Sequence, residues 1–317
     1  MLSLGILFIL GVFIAVTPPP GAGAHDHRHG AAGLIESIAS PDQRPPPSSH
    51  QSTLPPLLPP EHIDAKAYLV QMLDSGDTLL EHNSNEALPP ASLTKLLTVL
   101  IATDELASQQ AITFSRDAKE IGEKISFVKI GETLPRDEVI KLALIESAND
   151  AASALAETVG RRHGAQTFSD AMTVFVSLMN ERARALGLAD SHFENPVGLD
   201  EKNHLISVRD LAKIARAIML AHPEIFTLSR WQSAIVTTSD KHTYSIRNTN
   251  ELLKEFPNIL GSKTGMTQKA LGALLLLYPV GIGNRTAVII ILGSENRFGD
   301  GRQLIHWLEI NNAAIPQ

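Results

Sequence analysis

Two runs near the C-terminus, Leu271 to Tyr278 and Arg285 to Leu292, are apolar almost without interruption, and a turn at Gly281-Ile282-Gly283-Asn284 lies between them. A strand with one wet face alternates apolar and polar residues, whereas an unbroken apolar strand is covered on both faces. The pair therefore predicts two central antiparallel strands with other elements packed above and below. Asn258 to Gly265 predicts a third strand just before them. Upstream, Ala65 to Met72 and Thr78 to Glu81 flank the turn residues Asp74-Ser75-Gly76-Asp77 and predict a hairpin. Between the two strand regions, Asp117 to His222 is mostly helical in pattern. Helices are expected over Glu138–Ile145, from Asp150 onward, over Val174–Leu186, and from a capping box at Ser207-Val208-Arg209-Asp210 to Leu220. A last helix carries Leu304, Ile305 and Leu308. The simplest assembly is an α/β fold of the α+β kind. The early hairpin pairs with the three late strands in a five-stranded antiparallel sheet, sandwiched by helices and carrying a helical subdomain.

The stretch after the first hairpin carries the chemistry. In Pro89-Pro90-Ala91-Ser92-Leu93-Thr94-Lys95-Leu96-Leu97-Thr98, residues Leu93, Leu96, Leu97, Leu100 and Ile101 recur at helical spacing. The two prolines stop any helix upstream, so Ser92 falls in the first turn. Only Thr94, Lys95 and Thr98 interrupt the apolar run to Ala102, which predicts a helix buried nearly all round. Ser92 and Lys95, three apart, are neighbours on its surface. Burial favours the neutral lysine amine, and a neutral amine beside a serine hydroxyl activates it as a nucleophile.

The Ser-x-x-Lys pattern is cheap, and the chain holds a second copy at Ser126-Phe127-Val128-Lys129. That copy sits in a strand-like or loop stretch, where the two side chains point to opposite faces. Two further polar elements accompany the first copy. Ser147-Ala148-Asn149 interrupts two helices, and Lys263-Thr264-Gly265 ends a strand, where the glycine permits close approach of a ligand backbone. Ser-x-Asn recurs at Ser294-Glu295-Asn296, but Lys-Thr-Gly occurs once. Helix start, interhelical turn and strand, in that order, are the settings of the three motifs of serine acyl-transferases of the penicillin-binding and β-lactamase type.

Composition closes other routes. The chain has no cysteine, which excludes disulfides, thiolate catalysis and cysteine-held metals. A net charge of −7 without a basic stripe argues against nucleic acid as a partner. Leu2 to Val16 is an apolar run of signal-peptide length, and Ala22-Gly23-Ala24 offers a cleavage site, although no Lys or Arg precedes the run. Residues 1–24 are thus expected to be a cleaved export signal, with an uncleaved N-terminal membrane anchor as the alternative. Residues 25–60, rich in Pro, His and Ser, are expected to be a disordered linker. His25, His27 and His29 there form a polar tail rather than a metal site. The globular domain is expected over residues 61–313, with no metal and no cofactor. Its histidines, His163, His204 and His242 among them, read as surface residues.

From about Ala65 to Trp307 the chain resembles the low-molecular-mass penicillin-binding proteins, specifically the D-alanyl-D-alanine carboxypeptidase family of serine peptidases. The segments that carry the resemblance are Pro90 to Lys95, Ser147-Ala148-Asn149-Asp150-Ala151-Ala152, Phe193 to Asp200, Gly261 to Thr267 and Arg297-Phe298. It implies a β-lactamase/transpeptidase-like fold and an exported periplasmic or cell-envelope enzyme that trims peptidoglycan stem peptides. β-Lactam antibiotics would be its covalent inhibitors. By the same resemblance Ser92 is the nucleophile, Lys95 its base and Ser147 the proton relay. Asn149 would orient Lys95 and hold a substrate amide, and Lys263 would add positive potential. Thr264 and Thr267, flanking Gly265, would bind the substrate carboxylate with Arg297. The backbone N–H groups of Ser92 and Met266 would form the oxyanion hole.

Three features depart from the family pattern. Ala270-Leu271 stands where an Ala-Gly pair is usual, with Gly272 one place later. Val197 stands where many members have histidine. No second β-rich domain or C-terminal amphipathic anchor is expected after the last helix. Two readings compete with the carboxypeptidase: a D-alanyl endopeptidase of the same fold, and a non-catalytic sensor of muropeptides or β-lactams. A β-lactamase lacks support, because the Glu-x-x-Leu-Asn segment supplying its deacylating glutamate is absent.

Overall fold

The structure is a computed structural model; it describes residue 60 and residues 62–281 and 285–311. Residues 1–59, which hold the expected export signal and nearly all of the expected linker with its three histidines, and residues 282–284 of the expected turn lie outside the described residues. The described chain opens on a hairpin of β1 (Ala67–Met72) and β2 (Thr78–His82). A 3₁₀ turn at Ala91–Leu93 leads into α1 (Thr94–Glu105). A helical region then runs through β3 (Ala111–Thr113), α2 (Arg116–Lys119), β4 (Thr133–Pro135), α3 (Arg136–Lys141), α4 (Asn149–Arg162) and α5 (Phe168–Ala185). It continues with α6 (Val208–Ala221), α7 (Glu224–Ser229), the ribbon β5 (Ser233–Thr237) and β6 (Thr243–Arg247), and α8 (Leu252–Glu255). The strands β7 (Gly261–Thr267), β8 (Leu271–Val280) and β9 (Arg285–Ser294) precede α9 (Arg297–Asn311).

The main sheet has five antiparallel strands in the order β2-β1-β9-β8-β7, so the early hairpin joins the late strands through β1 and β9. The period-two rule sorts each central strand onto two cores. Ala273, Leu275 and Leu277 of β8, with Val288, Ile290 and Leu292 of β9, face a core shared with α1, α4, α5 and α6. Leu274, Leu276 and Tyr278, with Ala287, Ile289 and Ile291, face α8 and α9. An unbroken apolar run is what a strand with two dry faces needs. Each buried leucine or isoleucine contributes about 1.5–3 kcal/mol.

Several boundaries differ from expectation for local reasons. The helix expected from Val174 starts at Phe168, because Thr167 and Asp170 form a capping box: Asp170 N donates to Thr167 Oγ1 at 3.1 Å, and Thr167 N to Asp170 Oδ2 at 3.2 Å. The box expected at Ser207 is half formed. Asp210 N donates to Ser207 Oγ at 3.1 Å, but the Asp210 carboxylate accepts instead from Asp190 N, Ser191 Oγ and Lys213 Nζ. The helix expected over Glu138–Ile145 is α3 continued by a π-helical turn, Leu142–Glu146, that ends on Ser147 in the left-handed region, φ 63°. Asn258 to Leu260 precede the strand that was expected to begin there.

Leu271 is also left-handed, at φ 57° where β8 leaves the β7–β8 turn. A glycine takes this conformation without the roughly 1–2 kcal/mol that a Cβ adds. This is a physical reason for the glycine usual in the resembled family. Leu271→Gly is expected to stabilise the protein by ~1 kcal/mol, about 2–4 °C in melting temperature. A lower melting temperature would mean that the leucine side chain packs more than its backbone strains.

Candidate active site

The site begins with a short strained turn. Ala91 has φ 48°, and the 3₁₀ turn it opens brings Ser92 to the N-terminal end of α1. Every α1 residue from Thr94 to Thr103 is buried, Lys95 completely. Two glycines make room for the turn. A Cβ on Gly198 would lie 1.9 Å from the Ala91 carbonyl oxygen, and one on Gly265 would lie 2.9 Å from Ser92 N. The close approach expected at Gly265 is thus made by the chain's own backbone.

Lys95 Nζ has three polar neighbours: Ser92 Oγ at 2.8 Å, Asn149 Oδ1 at 2.7 Å and the Val197 carbonyl at 2.7 Å. The last two can only accept. A neutral amine has two N–H bonds for them and one lone pair left for the serine proton. Burial, followed by the positive charge of Lys124, lowers the Lys95 pKa to about 7. Lys124 is thus a cation acting on Lys95 that the sequence did not announce.

Ser147, at the junction of the π turn and α4, accepts from Lys263 Nζ at 2.8 Å; the same Nζ donates to the Thr264 carbonyl at 2.8 Å. Lys263 is buried, and burial first, then Lys95, Lys124 and Arg297, pushes its pKa well below the ordinary lysine value. Lys95 and Lys263 cannot both hold a proton cheaply, which weakens the expectation that Lys263 acts as a fixed positive charge. Thr264 Oγ1 is 2.5 Å from Thr249 Oγ1. Thr267 donates to Asp200 Oδ1 at 2.6 Å and accepts from Ala270 N at 3.0 Å. Thr267 lines the cleft with its hydroxyl proton turned to Asp200. Arg297 lines the cleft with its Nε buried and unbonded among the described residues, and its guanidinium lies 4.4 Å from the Phe298 ring centroid. The Met266 side chain projects into solvent.

Ser92, Ser147, Asn149, Gly265, Thr264 and Arg297 meet in one cleft, and Lys95 and Lys263 stand in contact with its hydroxyls. The second Ser-x-x-Lys does not form a pair. Ser126 Oγ donates to Asp150 Oδ2 at 2.7 Å. Asp150, in the first turn of α4, is buried and also binds Lys119 Nζ at 2.5 Å and Ser126 N at 3.0 Å. It thereby pins the loop that delivers Glu123 and Lys124 to the cleft rim. Asn149 N holds the same loop, donating to the Lys124 carbonyl at 2.6 Å. No local pattern announces Lys124, because a tertiary anchor sets its place. His204, read as a surface residue, is buried behind the Ser92 turn.

The family model for D-alanyl-D-alanine carboxypeptidase matches residues 52–295. The chain is 31% identical over 237 residues to D-alanyl-D-alanine carboxypeptidase DacF of Bacillus subtilis, spanning 73% of this chain and 58% of that protein's length. It is 29% identical over 268 residues to a D-alanyl-D-alanine endopeptidase of Pseudomonas aeruginosa, spanning 81% of each. Among solved structures, a D-alanyl-D-alanine carboxypeptidase of Mycobacterium tuberculosis superposes with a TM-score of 0.68 at 29% identity, covering 79% of this chain and 92% of that one.

Proposed function

Because the chain belongs to the D-alanyl-D-alanine carboxypeptidase family of serine peptidases, we propose that it removes the terminal D-alanine from peptidoglycan stem peptides through an acyl-enzyme on Ser92. The observation that carries this reading is the buried Lys95 amine, 2.8 Å from Ser92 Oγ, with two obligate acceptors, Asn149 Oδ1 and the Val197 carbonyl, for the N–H bonds of its neutral form. Ser92 Oγ attacks the carbonyl carbon of the penultimate D-alanine as its proton passes to Lys95 Nζ. The backbone N–H groups of Ser92 and Met266 hold the oxyanion, a pairing favoured by the close approach of Gly265 to Ser92 N. Collapse breaks the C–N bond. The leaving D-alanine nitrogen takes a proton relayed by Ser147, whose hydroxyl Lys263 orients. Water then attacks the ester, Lys95 again accepts the proton, and the shortened peptide leaves with Ser92 restored. Arg297, with its unbonded Nε, and Thr264 bind the terminal carboxylate. Asn149 fixes Lys95 and meets a substrate amide.

The same chemistry makes β-lactams covalent inhibitors. It also requires export to the periplasm or cell envelope, for which Leu2 to Val16 is the sequence support. Among the described residues no helix is long and apolar enough to cross a membrane. A peptide ending in D-alanyl-D-alanine is expected to release free D-alanine with the purified protein and to release none with Ser92→Ala. No release, with fluorescent penicillin still labelling Ser92, would favour cleavage of D-alanyl cross-links. The similarity to the Pseudomonas endopeptidase over most of both chains supports that second reading. Loss of both activities in the unsubstituted protein would refute the assignment.

A further inference from the structure

His204 is 1 % exposed and reaches the nucleophile turn from behind. Its Nδ1 accepts from Glu194 N at 2.9 Å and from Asn195 N at 3.3 Å, so this nitrogen carries no proton. The proton is therefore on Nε2, which donates to Thr94 Oγ1 at 2.8 Å. Thr94 Oγ1 in turn donates to the Ala91 carbonyl at 2.9 Å. That carbonyl belongs to the left-handed residue just before Ser92, and Gly198 is packed against it. Glu194 and Asn195 begin the loop that supplies the other wall. Asn195 Oδ1 accepts from Val197 N, Gly198 N and Leu199 N at 3.2, 2.7 and 3.1 Å. The same loop gives the Val197 carbonyl to Lys95 and the Pro196 carbonyl to Thr98 Oγ1 at 2.6 Å. The imidazole itself is held by an edge contact with Phe193 and by backbone pairing of Leu205 with His192 and of Ile206 with Leu88.

One imidazole thus connects the two pieces of backbone that must keep Ser92 and Lys95 in register. Resting on the reading of Ser92 as nucleophile and Lys95 as base, we propose that His204 is a positioning residue for acylation. Neutral and protonated on Nε2, it locks the Ala91-Ser92 turn to the 194–199 loop. Burial keeps it neutral, lowering its pKa to about 4. A charged ring would have no lone pair for Glu194 N.

The link separates from bulk packing by choice of variant. His204→Phe keeps a ring against Phe193 and removes all three hydrogen bonds. His204→Gln can accept from Glu194 N through its carbonyl and donate to Thr94 through its amide. Stopped-flow acylation of the full chain by fluorescent penicillin is expected to show a rate constant about 10–100-fold lower in His204→Phe. Reversible binding before acylation should stay unchanged, since Thr264 and Arg297 lie on the other wall. His204→Gln should restore the rate to within about threefold of the parent. Thr94→Val breaks the same chain from the other end with the histidine intact, and reads it even if His204→Phe does not fold. The double variant is expected to be no slower than the worse single one, as for two links of one chain. A parental rate in Thr94→Val, or in a folded His204→Phe, overturns the proposal, as does a defect confined to reversible binding. Absence of labelling in the unsubstituted protein would instead overturn the reading of Ser92 and Lys95, and the proposal with it.

Discussion

Lys95→Met is expected to slow acylation of Ser92 by roughly 10²–10⁴-fold while leaving the protein about as stable as its parent at pH 7, or more so. The two halves have one cause. Burial holds Lys95 near a pKa of about 7 in the folded protein, against about 10.4 in an unfolded chain. Between those values the unfolded chain binds the proton more readily, so lysine at this position destabilises the fold by about 4 kcal/mol at pH 7. Methionine has nothing to protonate. It does strip the donors from Asn149 Oδ1 and the Val197 carbonyl, at a cost of about 1–3 kcal/mol each. Urea denaturation at a series of pH values gives the sign directly. The parent should gain stability relative to Lys95→Met as pH rises from 7 toward 10, because folding releases a proton that the unfolded lysine still holds over that window. Acylation by the parent should follow the neutral amine, falling about tenfold per pH unit below about 7 and levelling above it. A variant several kcal/mol less stable than the parent at pH 7 would mean that Lys95 is a charged group whose ionic environment stabilises the fold.

Gly198→Ala should be the most damaging single methyl in the chain's working region. The residue has φ 88°, and its Cβ would meet the Ala91 carbonyl oxygen at 1.9 Å and its carbon at 2.4 Å. These are backbone atoms and cannot rotate away. Left-handed strain of about 1–2 kcal/mol and overpacking of about 1–3 kcal/mol together predict a loss of about 2–5 kcal/mol. Relief by movement would separate the turn bearing Ser92 from the Val197 carbonyl that holds Lys95, so penicillin labelling should fall by about 10²-fold. Gly76→Ala is the control. Gly76 has φ 80° with nothing within 4 Å of the added Cβ, so it shows the backbone strain alone. Equal losses in the two variants would show that the turn can shift without harm.

How far these features were legible in the chain depends on the range of the force involved. The central strands announced themselves because two dry faces demand unbroken apolar residues, and Leu274 and Leu275 do face opposite cores. The helix of Lys95 was legible for the same reason. Short ribbons such as β5 and β6 escaped notice, since few of their residues are buried. The helix expected from Val174 starts earlier because its N-terminus is set by a cap of two polar residues, Thr167 and Asp170, and not by apolar periodicity. His204 carried no mark of burial at all. It sits in a short segment whose pairing with Leu88 and His192 no local pattern reveals.

The sequence by itself determined the periodicities, and with them the sheet, the buried helix and the polar residue types placed at its start. It also determined where glycine had to stand. What only the tertiary structure decided is the state of those polar groups. Lys95 owes its lowered pKa to complete burial and to Lys124, and its free lone pair to Asn149 and to a carbonyl 102 residues away. Thr267 is turned to Asp200 and Ser147 to Lys263 by contacts that are also remote in the chain. Periodicity is a property of neighbours along the chain. Desolvation and hydrogen-bond partnership depend on distances of a few ångströms between distant segments, and packing alone sets those.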